Sequence, residues 1–90
     1  MDGFEWDPAK AASNLKKHGV SFADAAVSLS DPLAITIPDP DAEGEERFVT
    51  LSASASGQIL LTVYCYVDAG IRIISSRKAS PGERKSYEAK

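Results

Sequence analysis

Arg72, Arg77 and Lys78 stand close together near the end of a 90-residue chain, and Arg84 and Lys85 follow them. Arginine offers a planar fork of donors that fits phosphate oxygens, and lysine adds a point charge. Tyr64 and Tyr66 precede this group, and tyrosine rings can stack on bases. Together these residue types suit recognition of a phosphodiester chain. The plainer alternative is that Arg72 pairs with an acidic neighbour and the tyrosines merely cover a sheet. His18 is the single histidine and the side chain best suited to exchanging protons near neutral pH. Its plainer reading is a cation closing a helix. Cys65 is the single cysteine, which excludes an intrachain disulfide, and its place among apolar residues suggests inert core. The acidic stretch 39–46 has five carboxylates but lacks EF-hand spacing. There is no glycine-rich phosphate loop and no HExxH. No cofactor and no metal is expected.

Charge is unevenly distributed. Residues 1–70 carry 4 basic and 11 acidic side chains, a net of −7, whereas residues 71–90 carry 6 basic and 2 acidic, a net of +4. Screening confines such fields to about 10 Å at moderate salt, so a local basic patch can bind phosphate on an acidic protein. The lone cysteine and an N-terminus without an apolar signal segment lead us to expect a cytoplasmic protein. The run 59–67 is too short to span a bilayer.

These residues need elements to hold them. Phe4-Glu5-Trp6 could form a short edge strand. Asp7-Pro8 is an N-cap followed by proline at the first helical position, opening a helix to about His18. Lys16, Lys17 and His18 fall in its last turn, and Gly19 suits the C-terminal cap. Ala12 and Leu15 would form its apolar side. Ser21 caps a second helix with Phe22, Ala25, Ala26 and Leu29 at helical spacing, ended by Asp31-Pro32. Strands follow at 33–37, 47–53, 59–67 and 71–77, with turns at 54–57 and 68–70. Ser80-Pro81-Gly82-Glu83 is a capping box opening a last helix to about Glu88. The expected fold is α+β: two N-terminal helices, a four-stranded antiparallel sheet with room for a fifth short N-terminal strand, and a short C-terminal helix, as one domain over 1–90. With Ile59, Leu61 and Val63 turned to the helices, Tyr64 and Tyr66 would face outwards beside Arg72.

Three blocks, FEWDPAKAASNLKKHGVSFADA, DPLAITIPDPDAEGEERFVTL and RIISSRKASPGERKSYE, resemble in order the BrnT toxins. The resemblance covers nearly the whole chain. It implies a RelE-like fold and a bacterial type II toxin that cleaves RNA and inhibits growth. It also implies a cognate BrnA-type antitoxin with a ribbon-helix-helix DNA-binding domain, through which operator DNA would be reached; no membrane is involved. Cleavage by the RNA's own 2′-OH would need a proton acceptor, cations for the phosphorane and an acid for the leaving 5′-oxygen. Arg72, Arg77 and Lys78 are the candidate cations. His18, Glu83 and Tyr87 remain open for proton transfer. Tyr64, Tyr66, Arg72, Arg77, Lys78 and Arg84 are the candidate RNA contacts. Relatives show a Y-T-x-R pattern where this chain has Tyr64-Cys65-Tyr66-Val67, so Val67 replaces an arginine. That departure leaves room for an alternative, a catalytically weak or inactive module that still binds the antitoxin.

Overall fold

The computed structural model describes residues 3–68 and 70–89. The chain runs β1 (Phe4–Glu5), α1 (Pro8–His18), α2 (Phe22–Ser28), β2 (Ile35–Pro38), β3 (Phe48–Ala53), β4 (Ile59–Val67), β5 (Gly70–Lys78) and α3 (Pro81–Glu88). Local signals set the helix boundaries. The Asp7 carboxylate accepts the Ala9 N–H at 2.8 Å, and Gly19 closes α1 with φ 71°, a conformation that suits glycine. Ser21 caps α2 by accepting the Asp24 N–H. Ser80 and Glu83 form the expected reciprocal capping box on α3.

The sheet order is β1-β5-β4-β3-β2. Strands β2 to β5 form an antiparallel meander, and β1 adds a fifth strand parallel to β5. The α+β fold is therefore as expected, with the optional strand present. Ala69, in the expected 68–70 turn, lies outside the described residues.

The helix-facing side of the sheet is the reverse of the expectation. Leu60, Thr62 and Tyr64 are buried, while Ile59, Leu61 and Val63 are only half-buried on the other side. The reason is a layer of small hydroxyl side chains. Ser52 donates to Ser28 of α2 at 3.0 Å, Thr62 and Ser76 are bonded at 2.9 Å, and Thr50 donates to the Tyr64 hydroxyl at 3.2 Å. Buried hydroxyls cost little once paired with one another. Phe22, Ala25, Ala26 and Ile73 form the apolar core on this side, flanked by Phe4, Trp6, Ala11 and Ile71. Burying Phe22 alone contributes about 2–3 kcal/mol.

The packing of α1 also departs from its apolar pattern. Leu15 is 51% exposed, and the buried residue is Asn14. Beyond the two-residue β1, the edge of β5 has no strand partner among the described residues, so its peptide groups need another. Asn14 supplies it. Its Nδ2 donates to Ser76 O at 2.8 Å and to Val20 O at 3.0 Å, and its Oδ1 accepts the Ser76 N–H at 3.1 Å. The side-chain amide thus stands in for a neighbouring strand's peptide group.

A bulge in β5 matters for the site. Val63 pairs with Ser75, yet Tyr64 pairs with Ile73, which leaves Ile74 as an extra residue. Strict alternation would put Arg72 and Arg77 on opposite faces, because they are an odd number of residues apart. With the bulge, Arg77 pairs with Leu61 and Arg72 with Cys65. Both arginines therefore share the face that carries Leu61, Val63 and Cys65.

Candidate functional site

That face is hollowed into a cleft of about 600 Å3. Ile37, Val49, Leu61 and Val63 form its floor, and Asp39, Asp41 and Arg47 of the 39–47 segment form one wall. The opposite wall brings together His18 at the end of α1, Ser75 and Arg77 of β5, and Glu83 of α3.

Arg77 and Glu83 meet in a two-bonded fork, Nη1 to Oε1 at 2.9 Å and Nη2 to Oε2 at 3.0 Å. The fold presents Glu83 for this purpose, because its Oε1 also accepts the Ser80 N–H at 2.8 Å. The guanidinium holds the Glu83 carboxyl at about 2, well below its ordinary value, and the carboxylate in turn raises Arg77. Across the cleft, Arg47 Nη2 pairs with Asp39 at 3.3 Å and reaches Asp41 O at 3.4 Å. Among the described residues, Arg47 Nε is buried without a hydrogen-bond partner. Counting the fixed charges alone, the two arginines and three carboxylates lining the cleft sum to −1.

The other candidates lie elsewhere. Arg72 is bound by Glu5 of β1, Nε at 2.9 Å and Nη2 at 2.8 Å, which raises the guanidinium further. The plainer reading of Arg72, a pair with an acidic neighbour, is thus what the structure has. Its β4 partner Cys65 lies four residues from Leu61, so Arg72 is about 13 Å along the sheet from Arg77. Nor is it beside the tyrosines. Tyr64 and Tyr66 sit on the opposite face and form edge-on ring contacts with each other at 5.8 Å, and Tyr66 with Phe48 at 5.4 Å. Tyr64 is buried and Tyr66 is 64% exposed. The correction follows from strand alternation once the helix side is known. Lys78 and Arg84 line a separate hollow of about 280 Å3 with Gln58 and Glu88. Tyr87 donates its hydroxyl to Asp31, which raises the phenol and ties α3 to the connection between α2 and β2.

Arg47, Asp39 and Asp41 were not singled out as site residues. Their signal was present, since an arginine directly after five carboxylates must find partners among them, but sequence does not say that the segment curls over the sheet. Val67 pairs with Gly70 at the hairpin end of β4. It lies six residues from Leu61, about 20 Å from the Arg77 end of the cleft.

Residues 6–83 match the family described as "Ribonuclease toxin, BrnT, of type II toxin-antitoxin system". The chain belongs to this family. BrnT toxins work within type II toxin-antitoxin systems, so membership implies an antitoxin partner. The crystal structure of the Brucella abortus ribonuclease toxin BrnT superposes with a TM-score of 0.69 at 26% identity, covering 89% of this chain and 99% of that one. Among curated proteins none matches. Among the described residues no helix is long and apolar enough to cross a membrane.

Proposed function

We propose that this BrnT-family chain is an endoribonuclease whose cutting site is the cleft holding Arg77 and His18. The observation that carries this reading is the Arg77–Glu83 fork, with a histidine in the same cleft. A carboxylate held by two parallel guanidinium bonds occupies the position a phosphate's two oxygens would take. When RNA enters, its phosphate exchanges with Glu83 on Arg77, which then stabilises the charge of the phosphorane. The nucleophile is the RNA's own 2′-OH. It attacks the adjacent phosphorus as its proton passes to a base, the bond to the 5′-oxygen breaks, that oxygen takes a proton from solvent water, and the products are a 2′,3′-cyclic phosphate and a 5′-OH. No metal is required by this route, and DNA is not a substrate.

Of the three groups open for proton transfer, His18 is favoured to take the 2′-OH proton. Glu83, once displaced from Arg77, still accepts the Ser80 N–H, which occupies one of its oxygens and keeps its carboxyl low, so it is a weak base near neutral pH. Tyr87 is engaged with Asp31 outside the cleft lining. Arg47 is a second cation in the cleft and takes the supporting role first expected of Lys78. The toxin acts in the cytoplasm on cellular RNA, and a BrnA-type ribbon-helix-helix antitoxin neutralises it.

The test is incubation of the purified protein with single-stranded RNA in EDTA. Cleavage with cyclic-phosphate ends is expected, reduced about 100-fold or more by Arg77→Ala. Intact RNA, or 3′-hydroxyl ends, would refute the mechanism. A second reading, an inactive module that binds the antitoxin, is favoured by the −1 charge of the cleft lining. It predicts antitoxin binding with RNA left uncut.

A further inference from the structure

A cleft whose own charges sum to −1 does not draw a polyanion by itself, so the cations that do so must lie beside it. The paired arginines do not supply them. Arg47, Arg72 and Arg77 are each held by a carboxylate. A second groove of about 230 Å3 runs along the outer flank of β5, between that strand and α1, with Lys10, Ser13 and Lys17 on its helix side. His18, Ile74 and Ser75 line both this groove and the cleft. The two hollows therefore adjoin, with His18 at the junction.

Lys10 and Lys17 are seven residues apart, two turns of α1, so they stand on one stripe about 10 Å apart along the helix. Both are exposed, and among the described residues neither forms an ion pair. Lys17 has a structural reason to be there, since a cation in the last turn complements the helix dipole. Lys10 has none. It is the third residue of α1, whose first turn has no acidic side chain, and a positive charge near a helix N-terminus works against the dipole. On the far side of the cleft stand Asp39 and Asp41, which repel a phosphate backbone. The field across the site thus points an RNA strand towards α1.

Resting on the ribonuclease reading above, we infer that the α1–β5 groove is a single-stranded RNA subsite. Lys10 and Lys17 hold phosphates flanking the one that is cut, and the strand passes His18 into the cleft. Lys10 and Lys17 are binding residues and take no part in proton transfer.

The test separates binding from cutting. Anisotropy titrations use a short single-stranded 2′-O-methyl RNA oligonucleotide, which cannot be cleaved through the 2′-oxygen. Lys10→Gln/Lys17→Gln is expected to weaken binding about 10-fold at moderate salt. It should also lower the slope of log affinity against log salt by about 1.4, from roughly 0.7 per lost single-strand phosphate contact. Lys16→Gln/Lys85→Gln removes the same charge outside the groove and is expected to change affinity less than about 2-fold. With cleavable RNA, the groove variant should raise KM and leave kcat within about 2-fold. Equal binding by the two double variants, or a wild type that binds no RNA, overturns the inference. So does a groove variant that loses antitoxin affinity while its RNA binding is unchanged. Salt-dependent binding through the two lysines without any cleavage would uphold the subsite and refute the ribonuclease reading. Cleavage indifferent to the lysines would do the reverse.

Discussion

Asn14 is a polar residue whose loss the fold should feel strongly. Its amide makes three buried hydrogen bonds, two to Ser76 and one to Val20 O. Asn14→Ala strands the Ser76 N–H and C=O and the Val20 C=O. At about 1 kcal/mol for each lost bond, and more where water cannot replace it, the cost is about 3–5 kcal/mol. A domain of this size has a total stability of about 5–13 kcal/mol, so the variant loses a large share of it. The melting midpoint should fall by roughly 12–40 °C, from about 4–8 °C per kcal/mol. Urea titration should show a lower midpoint with an unchanged slope. Asn14→Asp sharpens the test. It keeps the acceptor for the Ser76 N–H but sets a carboxylate against two carbonyl oxygens, which pushes its folded-state pKa above the unfolded one. Protonation then favours the fold, so this variant should recover stability as pH falls from 7 towards 4 and lose it as pH rises. A cost below about 1 kcal/mol for Asn14→Ala would refute the view that the amide serves as the missing strand.

Glu83 predicts the opposite pH dependence. Its folded-state value of about 2 lies below the ordinary 4.5, so its stabilisation is present above about 4.5 and lost as pH falls to about 2. Allowing for a side chain 28% exposed, the stability gap between wild type and Glu83→Gln should be about 1–2 kcal/mol at pH 6 and vanish near pH 2, read by chemical denaturation. Arg72→Ala, outside the cleft and tied to Glu5, should reduce RNA cleavage far less than Arg77→Ala in the same assay; equal losses would move the site to the hairpin end. Gly70→Ala would drive a Cβ into the Gly3 carbonyl, so the β1 end must shift away from β5. The expected cost is about 1–3 kcal/mol, with faster hydrogen exchange at Ile71, whose N–H bonds to Gly3 O.

Much of the fold was legible because its boundaries are local. Asp7-Pro8, Gly19, Ser21 and the Ser80–Glu83 box each act within one turn, and all form the caps their types suggest. The side of the sheet that meets the helices was not legible. Strand β4 is apolar on both faces, and the deciding contacts are hydroxyl pairs such as Ser28 with Ser52 and Thr62 with Ser76, residues that read as polar and therefore as exposed. The burial of Asn14 was hidden for the same reason. Within the site, Arg77 and Glu83 are six residues apart and both belonged to the basic terminal block that drew attention. Arg72 and Glu5 are separated by 67 residues, a distance over which charge pattern says nothing about partners.

The bulge at Ile74 gives β5 something like a reading frame. Substitutions along the strand alter one side chain at a time and leave each neighbour on its own face. Deleting Ile74 would simply close the bulge, because Ile73 and Ser75 already stand opposite the adjacent residues Tyr64 and Val63; Ile73 would keep its place in the core, and Ser75 and Arg77 theirs in the cleft. Adding a residue has no such slack. It would shift the phase between the two halves of the strand, turning Ile73 out of the core or Ser75 and Arg77 out of the cleft. The strand therefore bears the loss of its bulge residue far better than the gain of one more.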